Sequence, residues 1–312
     1  MTNQSDVICR QHYVGVGSGI KGVFLSMIYA AFSVFIIVSN LLLLKLLSNT
    51  RKKKYSTNNE KLVLLLSFVD LVVGSVVIPL QLVLFIKLKA VSCLFISITA
   101  FWLVFLLVFS GSIVVLISIE RFVTVLHNKR FYGIHFNGAC IITIIIFQFL
   151  ISFGLGIWYA LLVPSPKSLR QQSIYFFSIS TYIFLNIILI FIINTLLLIK
   201  TKKMMRIKEI HVAEHNVVER RLNKTMMLIS TSLMILYLPS VFVGYTHAVN
   251  LYLNVLKQSG YIWTIVLCEF NSAFNPSIYI SRNKKYLKLY KFNIRLLIRK
   301  FLNKKNSKVY QS

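Results

Sequence analysis

Seven stretches of this chain run for more than twenty residues almost without charge, and no other feature constrains the fold as tightly. They cover residues 22–44, 62–86, 90–119, 138–163, 171–199, 225–256 and 258–281. Five hold no Asp, Glu, Lys or Arg; the second holds Asp70 and the seventh Glu269. A bilayer core of ~30 Å is crossed by ~20 helical residues. Hydrocarbon offers no partner to free backbone groups, so such runs must be helices or closed barrels. Barrel strands would be about half this length and would alternate in polarity. The expectation is an all-α membrane protein, a seven-transmembrane-helix bundle. Composition agrees: apolar residues make up 57% of the 312 and charged ones 14%, against about 45–50% and about 25% in soluble domains.

The net charge of +27 raises nucleic acid as a partner. The charges, however, sit in short blocks between apolar runs, where they face anionic membrane lipid, so nucleic acid is set aside. Their distribution also orients the chain. With the C-terminus inside, 28 Lys and Arg fall on the inner side and seven on the outer, which puts the N-terminus outside. The expected organisation is an extracellular N-terminus over 1–21, the seven-helix domain over 22–281, and a cytoplasmic amphipathic helix and basic tail over 282–312. In that tail Tyr286, Leu289, Tyr290, Ile294, Leu297 and Phe301 recur every three or four residues among Lys and Arg. They form a stripe suited to the inner leaflet; the other reading is an unstructured basic tail. Residues 1–21 hold no apolar core before a cleavage site, so the first span is expected to act as its own insertion signal. Asn3 opens a glycosylation sequon on the outer side. Cys9, Cys93, Cys140 and Cys268 have no metal-ligand spacing, and the six His are scattered without a nucleophile or metal set. An enzyme is not expected.

Polar groups inside a membrane are costly and mark function by default. Asn40, Asp70, Ser110, Glu120, Arg121, Glu219, Glu269, Asn271, Ser272 and Asn275 are the informative ones. Asp70 sits near the middle of its span, and no Lys or Arg lies at mid-depth elsewhere. Its compensation must come from a cation, a proton or a polar cluster. Pro239 removes a backbone hydrogen bond in span six and kinks it, and Pro79 is expected to bend span two in the same way.

Asn40, the Leu66-Ser67-Phe68-Val69-Asp70 run, Glu120-Arg121-Phe122 ending span three, Pro239, and Asn275-Pro276-Ser277-Ile278-Tyr279 ending span seven together resemble the signature set of rhodopsin-like (class A) G-protein-coupled receptors. The resemblance extends over all seven spans. It implies that Arg121, beside Glu120, meets a heterotrimeric G protein. Glu219 falls where the family often places that Arg's acidic partner. Asp70, Ser110, Asn271, Ser272 and Asn275 match an internal sodium pocket, one carboxylate among neutral oxygens; the alternative is a water-filled polar seam. No other cofactor is implied. Pro276 and Tyr279 resemble the switch at the inner end of span seven. The ligand pocket implied is Leu103, Leu107, Tyr237, Ser240, Val241, Gly244, Ile265 and Glu269, for an extracellular ligand that the sequence does not name. Glu269 stands where opsins carry their retinal Lys, and Leu103 where amine receptors carry an Asp. A cationic ligand group pairing with Glu269 and a hydrogen bond from Glu269 to a neighbouring helix both stay open.

The chain departs from the pattern in places. Tyr237 replaces the Trp of span six. The Trp of span four is absent, with Phe147 the nearest aromatic, and span five has no Pro, with Asn186 at that level. The loop over 164–173 has no Cys, so the family's usual disulfide cannot form. Cys93 either meets Cys9, both being outside, or both stay free thiols. The implied function is a plasma-membrane receptor that activates a G protein through an outward swing of span six. The alternative is a seven-helix transporter or channel, against which stands the lack of an internal repeat.

Overall fold

The computed structural model describes residues 20–51, 58–87, 91–127, 138–163, 169–207, 213–252, 259–282 and 287. Everything regular among them is helical. Span one is Ile20–Arg51. Span two is built of Asn58–Val72, a π-helical turn Val73–Val77 and Ile78–Lys87. Spans three to seven are Cys93–His127, Gly138–Leu162, Leu169–Ile207, Ala213–Tyr252 and Ser259–Arg282. The basic tail, with its expected amphipathic helix, lies outside the described residues except for its first residue and Leu287.

Six of the helices are long and apolar enough to cross a membrane. The seventh, at 24 residues, is long enough but more polar. Glu269, Asn271, Ser272 and Asn275 lower its hydropathy, and these are residues the sequence marks as chemical. All four are buried, so the cost of their polarity falls inside the bundle and not on lipid.

Burial ranks the helices. In the most apolar window of span three 78% of residues are buried, against 17% in span four and 22% in span five. Span three is therefore the axis, touching spans two, four, five and six. Span four is a peripheral stave whose Ile142, Ile146, Leu150, Ile157 and Leu161 stay exposed at helical spacing, as lipid-facing residues do. Spans five and six, of 39 and 40 residues, are each about 60 Å long at ~1.5 Å per residue, longer than a whole bilayer of about 40–45 Å.

Phe147, the aromatic nearest the absent Trp of span four, is exposed. Phe149 and Phe153, less exposed, interleave edge-on with Phe101, Phe105 and Phe109 of span three at centroid distances of 5.2–5.8 Å. Edge-to-face pairs favour this geometry.

Span two deforms just before Pro79. Its π turn closes with the Ile78 N–H donating to the Val73 carbonyl, and the Gly74 carbonyl accepts from Ser33 Oγ of span one at 2.7 Å. In hydrocarbon every carbonyl displaced from the α pattern needs such a partner. Gly74 is required there: a Cβ would lie 2.7 Å from Ile36 Cγ2.

Candidate functional site

Asp70 is fully buried where spans two, three and seven meet. Ser110 Oγ and Ser272 Oγ donate to its Oδ1 at 3.0 and 2.8 Å, and Asn275 Nδ2 donates to Oδ2 at 2.9 Å. One carboxylate thus ties three helices through three charge-assisted bonds, roughly twice as strong as neutral ones. Asn40 of span one joins the edge of this cluster, its Nδ2 donating to the Ser272 carbonyl at 3.1 Å and to Ile36 O at 3.0 Å.

Asn271 is also fully buried, but it makes no bond to Asp70; both its amide atoms lack a protein partner, as do Oδ1 of Asn40 and Oδ1 of Asn275. Three buried amide oxygens with free lone pairs, two hydroxyls and a carboxylate form a donor set of the kind hard cations take. Groups left so in an interior call for water or an ion. The donor set therefore fits sodium.

At the far end of span three, Glu120 and Arg121 are both buried, with Arg121 Nε 3.3 Å from Glu120 Oε2. Thr124 Oγ1 steadies the acid, donating to Glu120 Oε1 at 3.3 Å. The Glu219 side chain lies outside the described residues, so its expected pairing with Arg121 is not seen. About three turns of span six further on, another link was not foreseen. Ser118 Oγ and Ser230 Oγ stand 3.0 Å apart, both buried among Val114, Ile117, Met226, Ile229 and Leu233. It crosses from span three to span six. Single serines in apolar runs give no sequence signal beyond their cost.

Pro239 and Pro276 lie inside their helices, and Tyr279 is buried near the end of span seven. Around Pro239 side chains reach the backbone: Ser240 Oγ donates to Tyr237 O at 2.8 Å, and Cys268 Sγ to Leu236 O at 3.9 Å. Tyr237, in place of Trp, donates its hydroxyl to Leu107 O of span three at 3.1 Å.

Towards the Cys93 end of the bundle lies a cavity of about 60 Å³ between spans three, five, six and seven. Its wall includes six of the eight residues expected there: Leu103, Leu107, Tyr237, Ser240, Gly244 and Ile265. Val241 is buried in the core nearby, and neither it nor Glu269 belongs to the wall. Span five supplies Phe176, Ile179, Ser180 and Ile183, which sequence reasoning missed because its Phe and Ile surround the whole helix and its Ser and Thr mark no single face. Glu269 is fully buried, with the Tyr29 hydroxyl of span one and Gln81 of span two facing its carboxylate.

A further polar chain joins spans three, four and five. Tyr182 OH donates to Gln148 Oε1 at 2.7 Å and stands 3.0 Å from Ser112 Oγ. Asn186 bonds only within its own helix, Nδ2 donating to Tyr182 O at 2.9 Å. Cys93 is disulfide-bonded, whereas Cys140 and Cys268 are free. Cys9 and Asn3 lie outside the described residues.

Residues 39–279 match the family model described as 7 transmembrane receptor (rhodopsin family). No curated protein matches the chain.

Proposed function

The chain belongs to the rhodopsin family of seven-transmembrane receptors, and on that premise we propose that it converts binding of an extracellular ligand into activation of a heterotrimeric G protein at the plasma membrane. The observation that carries this reading is the arrangement along span three. Its Leu103–Leu107 stretch lines a cavity, Ser110 meets Asp70, Ser118 meets Ser230, and Arg121 closes the far end. A single rigid helix therefore passes from a cavity to a buried Arg by way of two bonds to moving neighbours.

In this reading the N-terminus and the Cys93 end face outward, following the distribution of Lys and Arg, and the basic tail lies on the inner leaflet. Cys9 is the disulfide partner of Cys93, being the cysteine left once Cys140 and Cys268 are free. Asn3 is glycosylated. Glu219 pairs with Arg121 and holds span six inward in the resting state. An outward swing of span six about Pro239 opens the Arg121 end to the G protein.

Sodium would be held by Asp70, Ser110, Asn271, Ser272 and Asn275, and would supply a positive charge that neutralises Asp70. The residues themselves do the coupling. In the resting state Ser110, Ser272 and Asn275 draw spans three and seven onto Asp70. A ligand that favours the other arrangement must loosen these bonds, so ion and ligand oppose each other reciprocally.

The test is nucleotide exchange on purified heterotrimeric G proteins by the receptor reconstituted in nanodiscs, read against empty discs. Exchange above that baseline, lost in Arg121→Ala, is expected. Solute or ion flux in sealed vesicles without any exchange would favour the transporter reading instead.

A further inference from the structure

The cavity between spans three, five, six and seven carries information about ligand chemistry that the sequence left open. Resting on the receptor reading above, we propose that it receives the hydrocarbon chain of an uncharged lipid.

The wall is the first argument. Leu103, Leu107, Phe176, Ile179, Ile183 and Ile265 present hydrocarbon, and no residue of the wall is charged. A charged group moved from water into such a lining meets no counter-charge and is strongly disfavoured. The polar side chains in the wall are mostly committed. Tyr237 OH is given to Leu107 O, Ser240 Oγ to Tyr237 O and Cys268 Sγ to Leu236 O. A ligand rich in polar groups would have to compete with bonds the helices already make.

The nearest acid is the second argument. Glu269 is not part of the wall. Tyr29 and Gln81, on spans one and two, are the groups beside its carboxylate, whose two oxygens are buried without a hydrogen-bond partner. His247 is also outside the wall, packed edge-on against Phe176 at 4.5 Å. The cavity therefore lacks the anchor that an ammonium ligand needs.

Shape is the third argument. A space of about 60 Å³ is a small multiple of the ~10–15 Å³ that one water needs. At that size it takes the end of a hydrocarbon chain and leaves no room for a fused ring system. Spans five and six meet so closely at Gly244 that a Cβ there would overlap Ser180 Oγ.

The experiment uses the full chain in phosphatidylcholine nanodiscs and two probes with the same eighteen-carbon chain, neutral monoolein and cationic oleylamine. Melting temperature is recorded against probe concentration, and maleimide labelling of Cys268 is followed by peptide mass spectrometry, with exposed Cys140 as the internal control. Monoolein is expected to raise the melting temperature saturably, with a midpoint unchanged within about twofold in Glu269→Gln, and to slow Cys268 labelling at least fivefold. Ile183→Trp and Ile265→Trp, which fill the space from different helices, should weaken monoolein at least tenfold. The labelling arm stands if either variant folds poorly. Oleylamine binding that falls tenfold in Glu269→Gln would overturn the proposal, as would Cys268 labelling indifferent to monoolein. Nucleotide exchange in the same discs keeps the two readings apart. Intact exchange without monoolein binding sinks the lipid proposal alone, and monoolein binding without exchange sinks the receptor reading alone.

Discussion

The Asp70 cluster and the cavity towards the Cys93 end share span three, yet they are built on opposite principles. Around Asp70 the structure makes three short polar bonds, and spans three and seven converge on the two oxygens of span two's carboxylate. In the cavity the contacts are dispersive, the polar side chains mostly turn back to the backbone, and space is left over. Hydrogen bonds are directional and have few alternative arrangements. Hydrocarbon surfaces slide and repack at small cost. A bundle that holds its state in the first region and samples ligands in the second keeps the two tasks from interfering.

That contrast is sharpest in Asp70→Ala, which leaves Ser110, Ser272 and Asn275 without their acceptor. With three buried donors left unsatisfied at about 1–3 kcal/mol each, a loss of several kcal/mol is expected. Thermal unfolding in nanodiscs should show a drop well beyond that of Leu107→Ala in the cavity wall. Equal drops would erase the distinction between the regions. The milder Asp70→Asn should fold, and its basal nucleotide exchange should be flat from low to high Na⁺, with K⁺ as control. Wild-type exchange should fall as Na⁺ rises. Wild type indifferent to Na⁺ would make the cluster a water-filled seam.

Next in size is the Arg121 end. If Glu219 pairs with the buried Arg121, a contribution of ~1.4 kcal/mol lies between those of exposed and buried pairs. From a resting ratio of about 99:1, its loss raises the active share to about 9%. Basal exchange by Glu219→Ala, corrected for expression, should rise several-fold, and Arg121→Ala should lower it. An unchanged basal rate would leave Glu219 a solvated charge.

The Ser118–Ser230 bond should count for less, about 1 kcal/mol net. Ser230→Ala and Ser118→Ala should each raise basal exchange about fivefold. The double variant should do no more than either single one, because both remove the same bond. Full additivity would mean the two hydroxyls act separately. Smallest of all, Gln148→Leu removes one acceptor from the Tyr182 chain at the edge of the bundle. Its melting temperature should shift by the equivalent of less than about 1 kcal/mol, with basal exchange unchanged.

What could be read from the sequence divides along the same line. The spans, Asp70 and its neighbours Ser110, Ser272 and Asn275 were legible, because an acid in an apolar run has no cheap place to go and the remaining polar groups of the run must meet it. Asn271, expected beside them in a sodium pocket, is buried without a bond to Asp70, a difference that polarity alone does not encode. For Glu269 the sequence left a cationic ligand and a neighbouring helix open, and the structure puts Tyr29 and Gln81 beside its carboxylate. Hydropathy gives depth, and the facing of a residue depends on how the helices are rotated. The cavity wall contributed by span five was invisible because Phe176, Ile179 and Ile183 look like their lipid-facing neighbours Phe177 and Phe184. Phe147, Phe149 and Phe153 look equally apolar in the sequence, and only packing shows that the last two meet the rings of span three.

If span six swings about Pro239 as proposed, its length sets the gearing. From Pro239 to Ala213 is 26 residues, an arm of about 39 Å at ~1.5 Å per residue. Ser230 lies nine residues along it, about 14 Å out. A turn of ~10° about the proline would move Ser230 by about 2.4 Å and the far end by about 7 Å on this rise per residue. The first figure is enough to part a bond of 3.0 Å. The second is more than the pitch of a helical turn, about 5.4 Å. One fulcrum thus converts a displacement the size of a broken hydrogen bond into one wide enough to change what fits against the end of the helix.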